Sequence, residues 1–267
     1  MDRGRVWLIG GTQESAILAK ALAAAAIPCL VTVTTPAAQR LYAPSPYLAI
    51  QVQILQPEHL PQFLAQHQIR AIVDASHPFA AQVSQLAMAG ALQYQLPYLR
   101  YERPTVPATA GVTTLASLTE LLQGSYLQGQ RVLLTLGAKA LPHFLPWQPR
   151  AALFARILPT PTALALATQG GFQAGQLMAL RPPISAALEQ ALWQQWQITL
   201  VVTKASGQAG GEAVKAQVAQ ALKIPLIRIA RPSLAYPQQT DEVEVVLAFC
   251  RQLGLEGRSD VPQGLPG

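Results

Sequence analysis

Short runs of apolar residues alternate along this chain with longer segments in which apolar residues recur every three or four positions. The short runs are typical of buried strands, and the longer segments are typical of amphipathic helices. The first half is predicted to contain the strands Arg5–Ile9, Cys29–Thr35, Leu48–Leu55, Ala71–Ala75 and Pro97–Glu102, and the helices Gln13–Ala26, Pro57–His67 and Phe79–Gln93. Because a crossover helix joins neighbouring strands, we expect a parallel sheet.

The second half repeats this plan less clearly. It is predicted to contain the strands Arg131–Leu136, Ala152–Leu158, Ile198–Thr203 and Pro225–Ala230, and the helices Pro183–Gln194, Gly211–Leu222 and Asp241–Leu253. We therefore predict an α/β fold: two Rossmann-like domains with mostly parallel sheets and a cleft between them. The predicted domains are residues 1–106 and 107–255, with the loop Val106–Gly111 as linker and residues 256–267 as a frayed tail.

A faint internal repeat supports the two-domain interpretation. The segment Gln95–Pro104 resembles Lys223–Pro232, since a proline, two arginines and a final proline coincide. The same offset aligns Ser76 with Lys204, so the turn after one strand in each half occupies an equivalent position. Chance similarity between two βαβ segments is the alternative.

Polar residues follow the predicted strand Ala71–Ala75. Ser76 and His77 form the turn, and Pro78 stands where the first helical residue is expected. In open α/β sheets, ligands bind at the carboxyl ends of strands, so this turn is a candidate binding site. The alternative is a capped turn whose polar groups only satisfy the backbone.

A glycine turn follows the first strand. Gly10, Gly11 and Thr12 lead into a helix, so the backbone can approach a ligand and the helix N–H groups can bind a phosphate. The segment is not the full G-x-G-x-x-G motif, and a simple tight turn is the alternative. Glu14, in the first turn of the helix, would repel a nearby phosphate; the alternatives are that it faces sugar hydroxyls or simply complements the helix dipole.

The end of the second strand bears on the choice of cofactor. An NAD-binding unit places an acidic residue there to hold the ribose 2′-hydroxyl. This chain has Thr34 and Thr35, followed by Arg40, and no acidic residue until Glu58. If the unit binds a dinucleotide, this pattern favours NADP over NAD.

Two lysines stand at turns before helices in the second half. Lys139 follows the strand Arg131–Leu136, and Lys204 precedes Ser206 and Gly207. Lysines at such positions are candidates for binding phosphate or carboxylate groups, and solvated surface lysines are the alternative.

Composition excludes several classes of protein. With 51% hydrophobic and 12% charged residues, the chain has ample material for a core. No apolar run reaches the length of about 18 residues that spans a bilayer, and no signal peptide is evident, so we expect a cytoplasmic protein with no membrane role. The net charge of +6 is spread out, which disfavours nucleic acid and suits an anionic small molecule. The cysteines and histidines have no metal-ligand spacing, so no metal is expected.

Several motifs in order give the chain a resemblance to a known family. They are GGTQE at Gly10–Glu14, VDASHPFA at Val73–Ala80, LRYERP at Leu99–Pro104, TLGAKAL at Thr135–Leu141, TKASG at Thr203–Gly207 and IPLIRIARP at Ile224–Pro232. Together they resemble the precorrin-6A reductases of cobalamin biosynthesis, over nearly the whole chain.

The resemblance implies an NADPH-dependent reductase that transfers hydride to the macrocycle of precorrin-6A, or of its cobalt-bearing form. It implies two Rossmann-like domains with the cofactor between them, and a polycarboxylate tetrapyrrole as substrate. His77 is the histidine that falls in a matched motif, which makes it the candidate proton donor. The cofactor site is expected to include Gly10, Gly11, Thr12, Thr34, Thr35, Arg40, Ser76, Lys139, Lys204, Ser206 and Gly207.

Two other functions are open on sequence grounds. An NADP-linked dehydrogenase or epimerase could act on another anionic small molecule, although no tyrosine here is followed four residues later by a lysine. A carrier of tetrapyrroles or nucleotides would bind without turnover. Protein partners cannot be inferred from the sequence.

Overall fold

The structure is a computed structural model that describes residues 4–104, 111–207 and 210–255. These residues form two compact units, and the chain passes between them after Arg103 and again after Pro232. The first unit therefore contains residues 4–103 and 233–255. The second unit contains the described residues between 104 and 232.

Twelve strands and nine α-helices occur in the described ranges. The strands are β1 (Arg5–Ile9), β2 (Cys29–Val33), β3 (Leu48–Val52), β4 (Ile69–Asp74), β5 (Tyr98–Tyr101), β6 (Val112–Leu115), β7 (Arg131–Thr135), β8 (Ala152–Ile157), β9 (Leu177–Ala179), β10 (Leu200–Lys204), β11 (Leu226–Ile229) and β12 (Gln239–Thr240). The α-helices are α1 (Gln13–Ala24), α2 (Pro36–Gln39), α3 (Leu60–Gln66), α4 (Ala81–Gln93), α5 (Leu118–Gln123), α6 (Pro161–Gln169), α7 (Ala186–Gln195), α8 (Glu212–Leu222) and α9 (Val243–Gln252), with 3-10 helices at Pro57–His59, Ala138–Trp147 and Ala174–Gln176.

The first unit is built on a six-stranded parallel sheet in the order β3-β2-β1-β4-β5-β12. This is the 3-2-1-4-5-6 order of dinucleotide-binding folds, and it reverses direction between β1 and β4. In β1, Val6 and Leu8 pack into the core beneath α1 and α9, whereas Trp7 and Ile9 pack beneath α3 and α4. Because successive side chains point to opposite faces, a continuous apolar run buries both faces of the sheet.

The second unit repeats this layout in the order β9-β8-β7-β10-β11-β6, again with all pairs parallel. The strand order reverses between β7 and β10. On one face Leu133 and Val201 pack against Trp193 of α7 and Val218 of α8. The predicted α/β fold of two Rossmann-like domains with parallel sheets is confirmed, unit by unit. The predicted cleft between them stays a prediction.

The C-terminal segment corrects the predicted domain boundaries. Residues 233–255 belong to the first unit and not to a domain 107–255. The backbone N–H groups of Arg100 and Glu102 in and after β5 donate to Gln238 and Thr240 beside β12, and α9 buries Val246 and Cys250 in the first core. The edge strand beside β5 in the first sheet is thus β12, which comes after β11 in the sequence. The corresponding edge strand of the second sheet is β6, which comes directly after β5.

Several local predictions also differ from the structure. Strand β6 and helix α5 were not predicted. Helix α4 begins at Ala81, and Pro78 lies in the preceding turn, because Ala80 N–H donates back to His77 at 2.7 Å and closes that turn first. The helix after Gly137 is a 3-10 helix, since Pro142 and Pro146 within it lack the N–H groups that α-helical bonding needs.

The predicted tail 256–267 and most of the predicted linker, residues 106–110, lie outside the described residues. Within the part of the chain that the structure describes, no helix is long and apolar enough to cross a membrane.

Candidate functional site

Two turns lie side by side where the strand order of the first sheet reverses. The glycine turn (Gly10–Thr12) follows β1, and the serine–histidine turn (Ala75–Pro78) follows the neighbouring strand β4. The Thr12 hydroxyl donates to the Ala75 carbonyl at 3.1 Å and joins the two turns. The folded chain thus brings together two groups of predicted site residues that are far apart in sequence.

The glycine turn is fixed by bonds at the start of α1. Thr12 caps the helix by accepting the Ser15 N–H at 3.0 Å, and the Ser15 hydroxyl accepts the Thr12 N–H at 3.0 Å. Gly11 has a φ of +101°, a conformation that favours glycine. The Tyr42 hydroxyl, which is buried, accepts the Gly11 N–H at 2.8 Å and lies 2.7 Å from the Ser15 hydroxyl.

The backbone N–H groups of the glycine turn differ in whether they already have an acceptor. Gly10 and Gly11 use their N–H groups on Thr32 and Tyr42. Among the described residues, the N–H groups of Gln13 and Glu14 have no acceptor. Since the first N–H groups of a helix lack intrahelical partners, Gln13 and Glu14 present the N–H groups of α1 that can bind a phosphate.

The segment after β2 leaves the same edge of the sheet. Thr34, Thr35 and Arg40 are all exposed. The Thr35 hydroxyl accepts the Ala38 N–H at 3.2 Å and caps α2, and Arg40 ends that helix. No carboxylate occurs in residues 34–40, and β2 is the neighbour of β1. Threonine therefore stands at the strand end where an NAD-binding unit would carry an acidic residue, and an exposed arginine follows at the end of α2.

A shallow depression opens beside the two turns. Its lining residues are Thr12, Glu14, Ala75, Ser76, Pro78, Tyr101, Glu102 and Arg103. Glu14 forms an ion pair with Arg103 across it. This pair explains an acidic residue in the first turn of α1, because the guanidinium offsets the charge that would otherwise repel a bound anion.

A buried ionic network holds the serine–histidine turn. The fully buried Arg100 donates to Asp74 Oδ1 at 2.8 Å and to Ser76 Oγ at 2.9 Å, and it pairs with Glu102 at 2.8 Å. Asp74 also accepts the Ser76 N–H at 3.0 Å and the Tyr98 hydroxyl at 2.8 Å. Every strong donor and acceptor here has a partner, so Ser76 is an anchored residue of the turn.

The charges of this network shift the pKa values of its members. Burial, the Asp74 charge and the bond to Asp74 raise the pKa of Tyr98 well above its ordinary value. Burial acts to lower the pKa of Arg100, but Asp74 and Glu102 favour its charged form, and the pKa is raised. The Arg100 guanidinium therefore stays charged across the physiological pH range.

His77 is exposed, and its Nδ1 accepts the Phe79 N–H at 3.2 Å. Because Nδ1 accepts, the neutral ring carries its proton on Nε2. The neutral ring therefore supports the turn through Nδ1. To donate a proton, His77 would first take up a second proton on Nδ1 and give up the bond to Phe79, so the two interpretations of His77 are alternatives.

The second unit places its two candidate lysines at its own reversal point. Lys139 follows β7 and is exposed, and Lys204 ends β10, the neighbouring strand, and is partly buried. Burial lowers the pKa of the Lys204 ammonium, and the charge of Lys139 lowers it further. Two cations close enough to repel each other are typical of a site that receives an anion.

Ser206 and Gly207 are buried, and their polar groups are turned inward. The Ser206 N–H donates to the Lys204 carbonyl at 2.7 Å, and the Gly207 N–H donates to Glu212 Oε2 at 2.9 Å. Glu212 in turn pairs with Arg228 at 2.8 Å. These bonds hold the turn in shape, and a direct contact of either residue with the cofactor stays a prediction.

Strand pairing corrects the alignment of the two halves. Asp74 pairs with Arg100 across β4 and β5, and Thr203 pairs with Arg228 across β10 and β11. Since the two arginines correspond in the sequence repeat, Lys204 matches Ala75 and not Ser76. The alignment taken from the sequence repeat is therefore wrong by one residue at this turn, because the register of β10 against β11 differs by one position from the register of β4 against β5.

The residues that brace these turns were not predicted as site residues. They include Tyr42, Tyr98, Arg100, Arg103, Glu212 and Arg228. The signal that could have found some of them was the repeat itself, since it aligns Arg100 with Arg228 and Arg103 with Arg231. Within the described ranges, no group of three or more His, Cys, Asp or Glu side chains could hold a metal ion.

Comparison with known proteins gives a consistent result. The chain matches the family described as precorrin-6x reductase CbiJ/CobK over residues 5–251. A cobalt-precorrin-6A reductase from Synechocystis sp. is 51% identical over 250 residues, which cover 92% of this chain and 96% of that protein. A precorrin-6A reductase from Rhodococcus erythropolis is 31% identical and covers 94% and 97% of the two chains.

A solved structure described as CobK precorrin-6A reductase has the same fold. It superposes with a TM-score of 0.78 at 26% identity and covers 96% of this chain and 100% of its own. The resemblance inferred from the ordered motifs is thereby confirmed. This chain belongs to the precorrin-6x reductase CbiJ/CobK family.

Proposed function

We propose that this chain reduces the macrocycle of precorrin-6A, or of its cobalt-bearing form, to the dihydro product with NADPH, in the cytoplasm. The observation that carries the proposal is the match with the cobalt-precorrin-6A reductase of Synechocystis sp., at 51% identity over 92% of the chain. The reversal points of both sheets are intact, so the chain has the architecture that such a reaction requires.

The first unit fits the adenosine and phosphate part of a dinucleotide. Gly10 and Gly11 allow close approach, Thr12 caps the helix, and the N–H groups of Gln13 and Glu14 face an anion. Thr34, Thr35 and Arg40 would bind the 2′-phosphate that distinguishes NADPH from NADH, because the guanidinium complements that charge. When bound, the nicotinamide supplies the hydride.

The second unit fits the carboxylates of a tetrapyrrole or the phosphates of the cofactor. Lys139 and Lys204 are cations whose mutual repulsion an anion would relieve. Ser206 and Gly207 shape the turn beside them. The chain's net charge of +6 also favours a substrate with many carboxylates.

Reduction of a carbon–carbon double bond needs a proton as well as a hydride. His77 is proposed as the proton donor, since it is exposed beside the glycine turn and its imidazolium form can give up a proton near neutral pH. The Arg100 network fixes the turn that carries it.

The test is anaerobic incubation of the pure protein with precorrin-6A and NADPH, following the absorbance of both. Loss of NADPH absorbance together with a change in the macrocycle spectrum is expected, and NADH should react more slowly. Binding without cofactor oxidation would indicate a carrier instead. Oxidation of NADPH with a sugar nucleotide but not with precorrin-6A would indicate a dehydrogenase, and interconversion of sugar-nucleotide epimers without net cofactor oxidation would indicate an epimerase. A parallel reaction with cobalt-precorrin-6A identifies the preferred form of the substrate.

A further inference from the structure

We propose that Tyr42 is a cofactor-positioning residue that couples the glycine turn to the segment carrying Arg40, and so supports both NADPH affinity and the preference for NADPH. The proposal rests on the proposed function. Tyr42 reaches the glycine turn from 31 positions further along the chain, and neither motif includes it.

The first support is a directed chain of hydrogen bonds. The Gly11 N–H donates to the Tyr42 hydroxyl at 2.8 Å, that hydroxyl lies 2.7 Å from Ser15 Oγ, and Ser15 Oγ donates to the Thr12 carbonyl at 2.7 Å. A hydroxyl has a single proton to donate. Ser15 uses its proton on Thr12, so Tyr42 donates to Ser15 and accepts from Gly11. One orientation thus satisfies the whole chain.

The second support is close packing. A side chain added at Gly10 would place its Cβ 2.3 Å from the Tyr42 oxygen and 2.9 Å from Val31. Gly10 therefore has no side chain because Tyr42 occupies that space. Tyr42 is 7% exposed, so its hydroxyl is shielded from water and depends on the Gly11 N–H as its donor, whereas Gly11 itself lies at the surface.

The third support is connectivity. Tyr42 stands two residues after Arg40, and its backbone N–H donates to the Gln39 carbonyl at 3.3 Å in the last turn of α2. Fixing the Tyr42 ring therefore fixes the end of α2 relative to the glycine turn. The two parts of the predicted NADPH site, the phosphate-binding turn and the 2′-phosphate segment, are joined through this one side chain.

The test is Tyr42→Phe, which keeps the ring and removes the oxygen. Dissociation constants for NADPH and NADH are measured by titration of the full-length protein, with the melting temperature as a second readout. We expect the NADPH dissociation constant to rise about tenfold, because the Gly11 N–H loses its buried acceptor. NADH binding should weaken less, so the preference for NADPH should fall by about threefold.

Tyr47→Phe is the matched control, since Tyr47 lies in the same segment, where the Tyr47 N–H donates to Ser45, and it should leave both constants unchanged. Should Tyr42→Phe fail to fold, Ser15→Ala breaks the same chain of bonds from its other end and should weaken NADPH binding.

Two outcomes would overturn the proposal. Unchanged constants in a folded Tyr42→Phe protein would mean that Tyr42 only stabilises the fold. Equal weakening for both cofactors would mean that no coupling to the Arg40 segment exists. Failure of the unaltered protein to bind NADPH is a different result, since it would refute the proposed function itself.

Discussion

Buried charges in this protein act as braces for turns. Arg100 and Arg228 occupy equivalent positions in the two sheets, and each holds a carboxylate that accepts an N–H from the turn after the preceding strand. In the first unit the carboxylate is Asp74 at the strand end, and in the second it is Glu212 in the first turn of α8. Different residues thus provide the same support, because a buried arginine requires a partner wherever the chain can supply one.

His77→Ala is expected to lower turnover at least about tenfold if His77 donates the proton, given the usual worth of such groups. His77→Asn is the informative companion, because its side-chain oxygen can accept the Phe79 N–H but cannot deliver a proton near neutral pH. Steady-state kinetics with both variants separate the roles. Restored turnover in His77→Asn would assign His77 to support of the turn.

Lys204→Ala is expected to raise the Michaelis constant for NADPH or precorrin-6A about tenfold, as loss of a charged hydrogen bond should. This effect should exceed the loss of thermal stability, because burial disfavours the charged form of Lys204 and lowers its pKa. The effect should shrink at high salt. Lys20→Ala, which removes an exposed lysine from α1, is the control. Unchanged constants for both substrates would show that Lys204 binds neither of them.

The burial of Lys215 should make the free energy of unfolding depend on pH. Lys215 is 2% exposed, and its ammonium donates to the Gly210 carbonyl at 2.5 Å. Burial and the Arg156 charge lower its pKa from 10.5 to about 8, against the opposing effect of Glu189 and Glu212. Between those pH values the unfolded state keeps a proton that the folded state has released. The free energy of unfolding should therefore rise with pH there, by up to about 3 kcal/mol.

Urea unfolding of the wild type and of Lys215→Met, at several pH values from about 7 to about 10, measures this effect. The variant lacks the titrating amine, so the difference between the two proteins isolates Lys215. Parallel pH dependence in both would show that Lys215 has an ordinary pKa.

At the scale of elements, the two glycines of the glycine turn are required for different reasons. Gly10 is constrained by space, because Tyr42 and Val31 fill the volume of a Cβ. Gly11 is constrained by backbone conformation, since its φ is +101° and nothing lies within 4 Å of an added Cβ. The open side of Gly11 is where a ligand can approach the backbone.

Gly11→Val is expected to weaken NADPH binding, because the side chain would fill that open side, and to leave the protein folded. The strained backbone should cost about 1–2 kcal/mol of stability. Gly129→Val is a matched control, since Gly129 also has a positive φ, +71°, and no atom within 4 Å of an added Cβ. Thermal unfolding and NADPH titration are compared for the two. Normal NADPH binding by Gly11→Val would mean that the turn is only structural.

At the scale of the whole molecule, the two units differ in how the chain builds them. The second unit is a continuous stretch between Pro104 and Pro232, whereas the first requires the segment that follows Pro232. That segment supplies β12 to the sheet edge and α9 to the core, where Val246 and Cys250 are fully buried.

A fragment of residues 104–232 should therefore unfold cooperatively on its own, whereas a fragment of residues 1–103 should not, because it would expose the core face that α9 covers. Joining residues 1–103 to 233–255 through a flexible linker should restore cooperative unfolding. Circular dichroism during heating provides the measurement. Cooperative unfolding of the 1–103 fragment alone would show that β12 and α9 are dispensable.

The local pattern of the chain was sufficient for most elements and for the family. Continuous apolar runs such as Arg5–Ile9 predicted buried parallel strands, and the ordered motifs were enough to indicate the reductase family. Strand β6 escaped prediction because its sequence, VTTL, is half exposed and polar at its centre. It is a strand because β11 offers it an edge, which is a property of the fold and not of the segment.

The sequence by itself therefore determined the periodicity of the elements, the parallel α/β class and the positions of the glycine and serine–histidine turns, because these depend on neighbours within a few residues. Only the tertiary structure decided that Tyr42 reaches Gly11, that Arg103 offsets Glu14, and that the segment after Pro232 returns to complete the first sheet. Such contacts join residues that are tens of positions apart, or more than a hundred in the case of β5 and β12. They form where burial leaves a donor, a charge or a strand edge in need of a partner.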